Sequence, residues 1–344
     1  MLSFENDYNN GCCPEILQRL TDTNGEQSLT YGDDEWTHSA RRKIARACQC
    51  EQAQVFFLTG GTQTNMTVID ALLHGYESVI TVTTGHIAVH EAGAIEFCGH
   101  KVIALPGHEG RLDAADLDAY MTAWMADETH AHRTRPAMVY VSFPTELGTI
   151  YTASQLRALR EVCNRHGLLL YVDGARLGYG LAASRGDVTL PVLAQLADAF
   201  YIGGTKQGAL CGEAVVFPRP EVFPPYFFTI VKQHGALLAK GRLAGLQFDT
   251  LFTDDLYLTL SRHAVAMAMR LRDLFMERGY RLAVQSPTNQ QFIILPNDLV
   301  EHLDPHVQFS HIAPHDAASQ VCRFVTSWST TAAQLEQLAR LLRD

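Results

Sequence analysis

Two charged side chains end apolar runs in this sequence. Asp173 closes the apolar part of Leu168-Leu-Leu-Tyr-Val-Asp-Gly-Ala-Arg176, and Lys206 ends Ala199-Phe-Tyr-Ile-Gly-Gly-Thr-Lys206. A lysine just past a buried strand, flanked by Gly203, Gly204 and Gly208, is placed to reach a ligand at the end of a sheet. The interval between the two has room for one strand, a crossover and the next strand. A lysine for a Schiff base and a carboxylate for a pyridinium nitrogen are the pair that pyridoxal phosphate chemistry needs. Taken singly, a helix-capping Asp173 and a surface Lys206 would be the plainer readings. Together, and with a glycine-rich turn upstream, they are the weaker ones.

That turn is Thr59-Gly-Gly-Thr-Gln-Thr-Asn65, after an expected strand Gln54–Leu58 and before an expected helix from Met66 to Leu73. Strand, glycine-rich turn and helix offer backbone N–H groups and a positive helix end to a phosphate. It is neither a Walker loop nor a dinucleotide turn. The elements that must position these groups alternate. Short apolar runs at 78–82, 101–105, 137–142, 168–172, 199–202 and 213–217 are separated by amphipathic segments such as 114–124 and 154–165. This pattern predicts an α/β fold with a mostly parallel sheet and helices on both faces. Ligands bind such sheets at the carboxyl ends of their strands. Gly60–Thr62, Asp173 and Lys206 fall there.

Before this unit, residues 1–13 have no period, and Pro14 opens a short helix through Leu20. The arm either frays or folds over a site. Thr37 is expected to cap a helix from Ala40 to Ala47. After Pro218–Pro225, helices are expected at 235–252 and 256–278, then an α+β tail ending in a helix from Ala332 to Arg343. The expected division is an arm (1–20), a large domain (21–252) and a small C-terminal domain (253–344).

The 344 residues carry a net charge of −10, with no basic block to neutralise phosphates, which argues against nucleic acid. No apolar stretch is long enough to span a bilayer, and Met1–Gly11 does not read as a signal peptide, so the expected location is cytoplasmic. Eight cysteines lack any Cys-x-x-Cys pair and read as buried small apolar residues. His130 and His132 have no further ligand at regular spacing, and no metal site is expected.

Four blocks together resemble the threonine aldolase/β-eliminating lyase family of pyridoxal-phosphate enzymes, which has the aspartate-aminotransferase-like fold (fold type I). They are Gly61-Thr-Gln-Thr-Asn65, Gly85-His86 with Glu91-Ala-Gly93, Asp173-Gly-Ala-Arg176 and Gly204-Thr-Lys206. Tyr31-Gly-Asp-Asp34 and Arg323-Phe-Val-Thr-Ser-Trp328 match further family segments. The resemblance implies that Lys206 holds pyridoxal 5'-phosphate, that Asp173 keeps the pyridine nitrogen protonated and that His86 stacks on the ring. It implies a phosphate cradle at Gly61 and Thr62 with Thr205. It gives Arg176 and Arg323 to the substrate carboxylate, and Asn6 and Tyr31 to the substrate site. Bidentate guanidinium recognition suits a carboxylate.

The implied reaction is cleavage of L-threonine, L-allo-threonine or a related L-β-hydroxy-α-amino acid to glycine and an aldehyde. The alternative is a β-eliminating lyase or racemase acting on another amino acid. Where many family members place a histidine for the β-hydroxyl, this sequence reads Ser142-Phe-Pro-Thr-Glu-Leu-Gly-Thr149, with Glu146 at the matching position. Glu146 is either the base, if burial raises its pKa, or a selector of another β-substituent. His90 and Glu91 are spare acid/base candidates. Family members place basic residues near Lys240 and Arg242 against a neighbouring subunit's phosphate, which implies a homo-oligomer, dimer or tetramer.

Overall fold

The computed structural model describes residues 1–184 and 186–342. A central sheet of seven strands comprises β1 (Gln54–Leu58), β2 (Glu77–Val82), β3 (Lys101–Leu105), β4 (Arg135–Ser142), β5 (Leu169–Asp173), β6 (Ala199–Gly203) and β7 (Glu213–Phe217). Their spatial order is β1-β7-β6-β5-β4-β2-β3. Strands β3, β2, β4, β5 and β6 run parallel, and β7 is antiparallel to both β6 and β1. Every residue of β2, β6 and β7 is buried. Helices cover both faces, so these strands have no solvent-facing side, and even their polar members Glu77, Ser78, Thr81 and Glu213 are buried.

The two faces carry separate cores. Val82, Val141, Val172, Ile202 and Val216 point to one side, and Tyr140, Tyr171, Tyr201, Val215 and Phe217 to the other. A second, antiparallel sheet comprises β8 (Arg281–Val284), β9 (Gln290–Pro296), β10 (Ser310–Pro314) and β11 (Ser319–Val325), in the order β10-β11-β9-β8. It packs on the long helix Leu256–Met276 through Leu271, Phe275 and Phe324.

The N-terminal arm is tied into this smaller core. Leu2 and Phe4 are buried with Phe275 and Phe324, and Leu2–Ser3 pairs in parallel with Val307–Gln308. The Phe4 carbonyl accepts the Val325 N–H at 2.7 Å. Of the two expectations for the arm, folding over is the one observed.

Three local expectations are corrected. The helix after β1 spans Gly61–Leu72, so the glycine-rich segment is its first turn and not a loop before it. The helix expected from Ala40 starts at Glu35, and Asp34 is its cap; Asp34 accepts the Thr37 N–H at 2.9 Å and the Thr37 hydroxyl at 2.8 Å. The helix expected over 235–252 spans only Arg242–Leu251, after a break from a separate helix, Phe227–Gln233, that precedes the expected range. The break is enforced by a close approach: a Cβ on Gly241 would lie 2.2 Å from the Gly32 nitrogen. The last helix is Ala332–Leu341, and the expected terminal residue, Arg343, lies outside the described residues.

Candidate active site

The site is assembled at one end of the central sheet. Asp173 is the last residue of β5, Lys206 follows β6, and Ser142 ends β4. The two glycine-rich turns cross so closely that side chains cannot fit. A Cβ on Gly174 would stand 1.8 Å from the Tyr201 carbonyl oxygen, and one on Gly203 would stand 2.4 Å from the Ala175 oxygen. The Asp-Gly and Gly-Gly pairs are therefore what lets Asp173 and Lys206 share a cleft. That cleft is lined by Gly61, His86, Glu146, Asp173, Arg176 and Lys206.

Asp173 is fully engaged. Its Oδ1 accepts the Tyr201 hydroxyl at 2.6 Å and the Ala175 N–H at 2.9 Å; its Oδ2 accepts the Tyr140 hydroxyl at 2.5 Å and the Asn65 amide at 2.9 Å. Burial alone would raise this carboxyl, but the His86 charge and the two tyrosine hydroxyls outweigh it and hold it below the ordinary range. Asp173 is a fixed anion.

His86 opens a one-turn helix, and its Nδ1 lies 2.6 Å from Glu91 Oε1. The Asn65 amide reaches Glu91 Oε1 at 2.7 Å as well, so Asp173, Asn65, Glu91 and His86 form one network. Burial lowers the His86 pKa, but Glu91 and Asp173 outweigh it and favour the imidazolium. His90 packs 5.7 Å from the His86 ring, centroid to centroid, with its side chain exposed.

Glu146 differs from Asp173. Its Oε1 accepts the Ser142 hydroxyl at 2.5 Å and the His86 N–H at 2.9 Å, while its Oε2 is buried without a partner. Burial pushes its carboxyl above the ordinary range.

Lys206 is depressed, first by burial and then by the Arg176 charge. A lysine held towards the free amine is a nucleophile. Glu213 sits at the start of β7, which runs antiparallel, so its amino end lies beside the carboxyl ends of its neighbours; Glu213 pairs with Gly203. Its carboxylate accepts the Thr205 hydroxyl at 2.8 Å and the Gly204 N–H at 3.2 Å. Burial raises it against the pull of Lys206, so the amine and the acid both shift towards neutrality. Glu213 was absent from the sequence-derived site. Its signal was there: one acid at the head of an otherwise apolar strand.

The remaining sequence candidates divide. Arg176 enters the cleft but is engaged by Asp7 of the arm, Nε to Oδ2 at 2.8 Å and Nη2 to Oδ1 at 3.0 Å. The Asn289 amide also donates to Asp7, at 2.9 Å. Arg323 donates to Ser310 Oγ at 3.0 Å and Gln290 Oε1 at 3.4 Å, and its buried Nε has no partner. Asn6 accepts the Tyr8 N–H at 3.0 Å, turning the arm so that the Tyr8 ring lies 5.9 Å from Lys206 Nζ. Thr62 is exposed in the first helical turn, while Gly61 lines the cleft. The Thr205 hydroxyl is spent on Glu213. Tyr31 is not brought to this cleft within the chain. It lines a separate hollow with Arg41 and Phe56, and Lys232 Nζ lies 4.9 Å from its ring centroid.

These residues fit pyridoxal 5'-phosphate. The amine of Lys206 and the fixed anion of Asp173 share the cleft. The helix Gly61–Leu72 has no side-chain cap, and its first intrahelical bond is Thr64 N–H to Gly60 at 2.9 Å. The N–H groups before Thr64 are thus available to a phosphate. A Cβ on Gly61 would crowd the Tyr201 hydroxyl at 3.3 Å.

Comparison with known proteins agrees. The family model for β-eliminating lyases matches residues 7–293. A low specificity L-threonine aldolase of Pseudomonas aeruginosa is 28% identical over 99% of this chain and 96% of its own length. The solved structure of Leishmania major threonine aldolase superposes with a TM-score of 0.96 at 37% identity, covering 100% of this chain and 99% of that one. A Thermus thermophilus aspartate aminotransferase, at 14% identity, covers 99% of this chain and 91% of its own with a TM-score of 0.72, a likeness of fold. The chain belongs to the β-eliminating lyase family of pyridoxal-phosphate enzymes, with fold type I.

Proposed function

We propose that this chain cleaves L-threonine, L-allo-threonine or a related L-β-hydroxy-α-amino acid to glycine and an aldehyde. The observation that carries this reading is the buried, unpartnered Glu146 Oε2 in the same cleft as Lys206. The full-length similarity to threonine aldolases supports it. Pyridoxal phosphate, when bound, supplies the electron sink for the carbon–carbon cleavage.

The chain's own groups do the rest. Lys206 Nζ would hold the cofactor through its amine, Asp173 would supply the negative charge for its ring nitrogen, and His86 would face its ring. Arg323, with its free Nε, binds the substrate carboxylate, assisted by whatever donors of Arg176 Asp7 leaves free. Glu146 Oε2 takes the proton of the β-hydroxyl as the Cα–Cβ bond breaks. A carboxyl raised towards neutrality by burial suits that transfer. The arm, through Asp7 and Tyr8, closes the cleft against water.

We place the enzyme in the cytoplasm, as a homo-oligomer. Arg242 is committed within its chain, donating to Glu26 O at 2.7 Å and Thr23 O at 2.9 Å. Lys240 is exposed and forms no ion pair among the described residues, which makes it the better candidate to reach a second subunit's phosphate. Incubation with L-threonine tests the function. Equimolar glycine and acetaldehyde are expected; ammonia and a 2-oxo acid would instead assign the eliminating reaction.

A further inference from the structure

Behind the cleft, three metal-ligating side chains from separate segments converge, Asp70, Cys98 and His234, and His100 reaches the same Asp70 carboxylate. Asp70 lies near the end of the helix Gly61–Leu72, Cys98 caps Ala94–Phe97, His100 precedes β3, and His234 caps Phe227–Gln233. Ligand atoms of Asp70, Cys98 and His234 all lie within 4.8 Å of one another. His234 Nε2 is 2.9 Å from Asp70 Oδ2, and His100 Nε2 is 3.5 Å from Asp70 Oδ1.

Hydrogen bonding fixes which ring nitrogens carry protons. The Thr67 hydroxyl donates its only proton to the Gln63 carbonyl at 2.7 Å. It must therefore accept from His234 Nδ1, 3.2 Å away. His100 Nδ1 faces the Glu77 carbonyl at 3.3 Å, an oxygen that can only accept. Both imidazoles are thus protonated at Nδ1 and turn Nε2 to the same carboxylate. A neutral ring in that pose sets a lone pair against an anionic oxygen. A cation, proton or metal, must lie between. Metal-binding histidines are oriented in this way, with the far N–H held by a carbonyl or hydroxyl.

We propose that Asp70, Cys98, His100 and His234 form a structural site for a zinc-type divalent cation. Two imidazoles, a thiolate and a carboxylate are a closed four-ligand set for zinc. Binding needs the Asp70–His234 spacing to open to about 3.3 Å, a small side-chain rotation. The spacing of nine residues from Gly61 to Asp70 puts the ion roughly 14 Å along the helix from the cleft, so the site is separate from the chemistry. Its effect would be to pin the helix that faces the cofactor phosphate to two neighbours. The ligands are scattered from residue 70 to 234, which is why spacing in the sequence did not suggest them.

The test uses the holoenzyme, stripped of metal by a chelator and titrated with Co²⁺, with the cofactor absorbance subtracted. One equivalent per chain is expected, giving visible bands of a four-coordinate ion and a thiolate-to-cobalt charge-transfer band. Cys98→Ser should abolish the charge-transfer band, and Asp70→Asn should weaken binding by about tenfold or more. Added Zn²⁺ should raise Tm in the wild type and not in Cys98→Ser, whose aldolase activity should be unchanged. Failure of the wild type to bind Co²⁺, or the same bands in both variants, would overturn the proposal. It would leave a proton as the cation between Asp70 and the imidazoles.

Discussion

Asp173 and Glu146 line one cleft and carry the same functional group, yet the fold treats them in opposite ways. Asp173 ends a central strand and receives four hydrogen bonds. Glu146 lies in the loop after β4 and keeps one buried oxygen without a partner. Burial pushes both carboxyls up. Donors and the His86 charge reverse the shift at Asp173, and nothing reverses it at Glu146. The number of donors, more than depth, decides which acid is held below its ordinary range and which is pushed above it.

The largest effect that sharpens this contrast is expected from Asp173→Asn. An amide cannot accept from four donors and carries no charge for a ring nitrogen. Activity should vanish and cofactor retention should fall, read by absorbance after dialysis. Glu146→Gln should lower kcat by about 10²–10⁴ while cofactor binding holds, because only a proton carrier is lost. Asp7→Asn should destabilise the fold by roughly 3–5 kcal/mol in urea unfolding, because it leaves the buried Arg176 charge uncompensated.

The two acids should also give stability opposite slopes with pH. A lowered folded pKa, as at Asp173 and Asp7, contributes stability that is present above the ordinary value of 3.8 and lost as pH falls through the folded value. A raised folded pKa, as at Glu146, costs stability as pH rises from the ordinary value of 4.5 towards the folded value. Glu146→Gln should therefore gain stability relative to wild type across that upper window. A variant whose difference from wild type is flat with pH would contradict the burial argument. The smallest effect is expected for Tyr140→Phe, about 1 kcal/mol, since three other donors to Asp173 remain.

Much of the site was legible because parallel strands bring their carboxyl ends to one edge. Gly60–Thr62, Asp173 and Lys206 could be placed together from apolar runs alone, while Glu146 was found through the family resemblance. Glu213 could not, because β7 is antiparallel and that reversal leaves no mark in the run itself. The Asp7–Arg176 pair spans 169 positions and depends on Leu2 and Phe4 anchoring the arm in the smaller core. Helix boundaries failed where tertiary contact overrides propensity, as at Gly241 against Gly32. Tyr31 matched a family segment but does not meet the cleft of its own chain.

The most direct test of the division between the two acids is one cuvette in which Glu146→Gln and wild type receive L-threonine. The cofactor absorbance and released acetaldehyde are followed together. The predicted result is a wild-type cofactor band with acetaldehyde release slowed by about 10²–10⁴ in the variant. Acetaldehyde released at the wild-type rate by Glu146→Gln would contradict the assignment of Glu146 as the proton carrier.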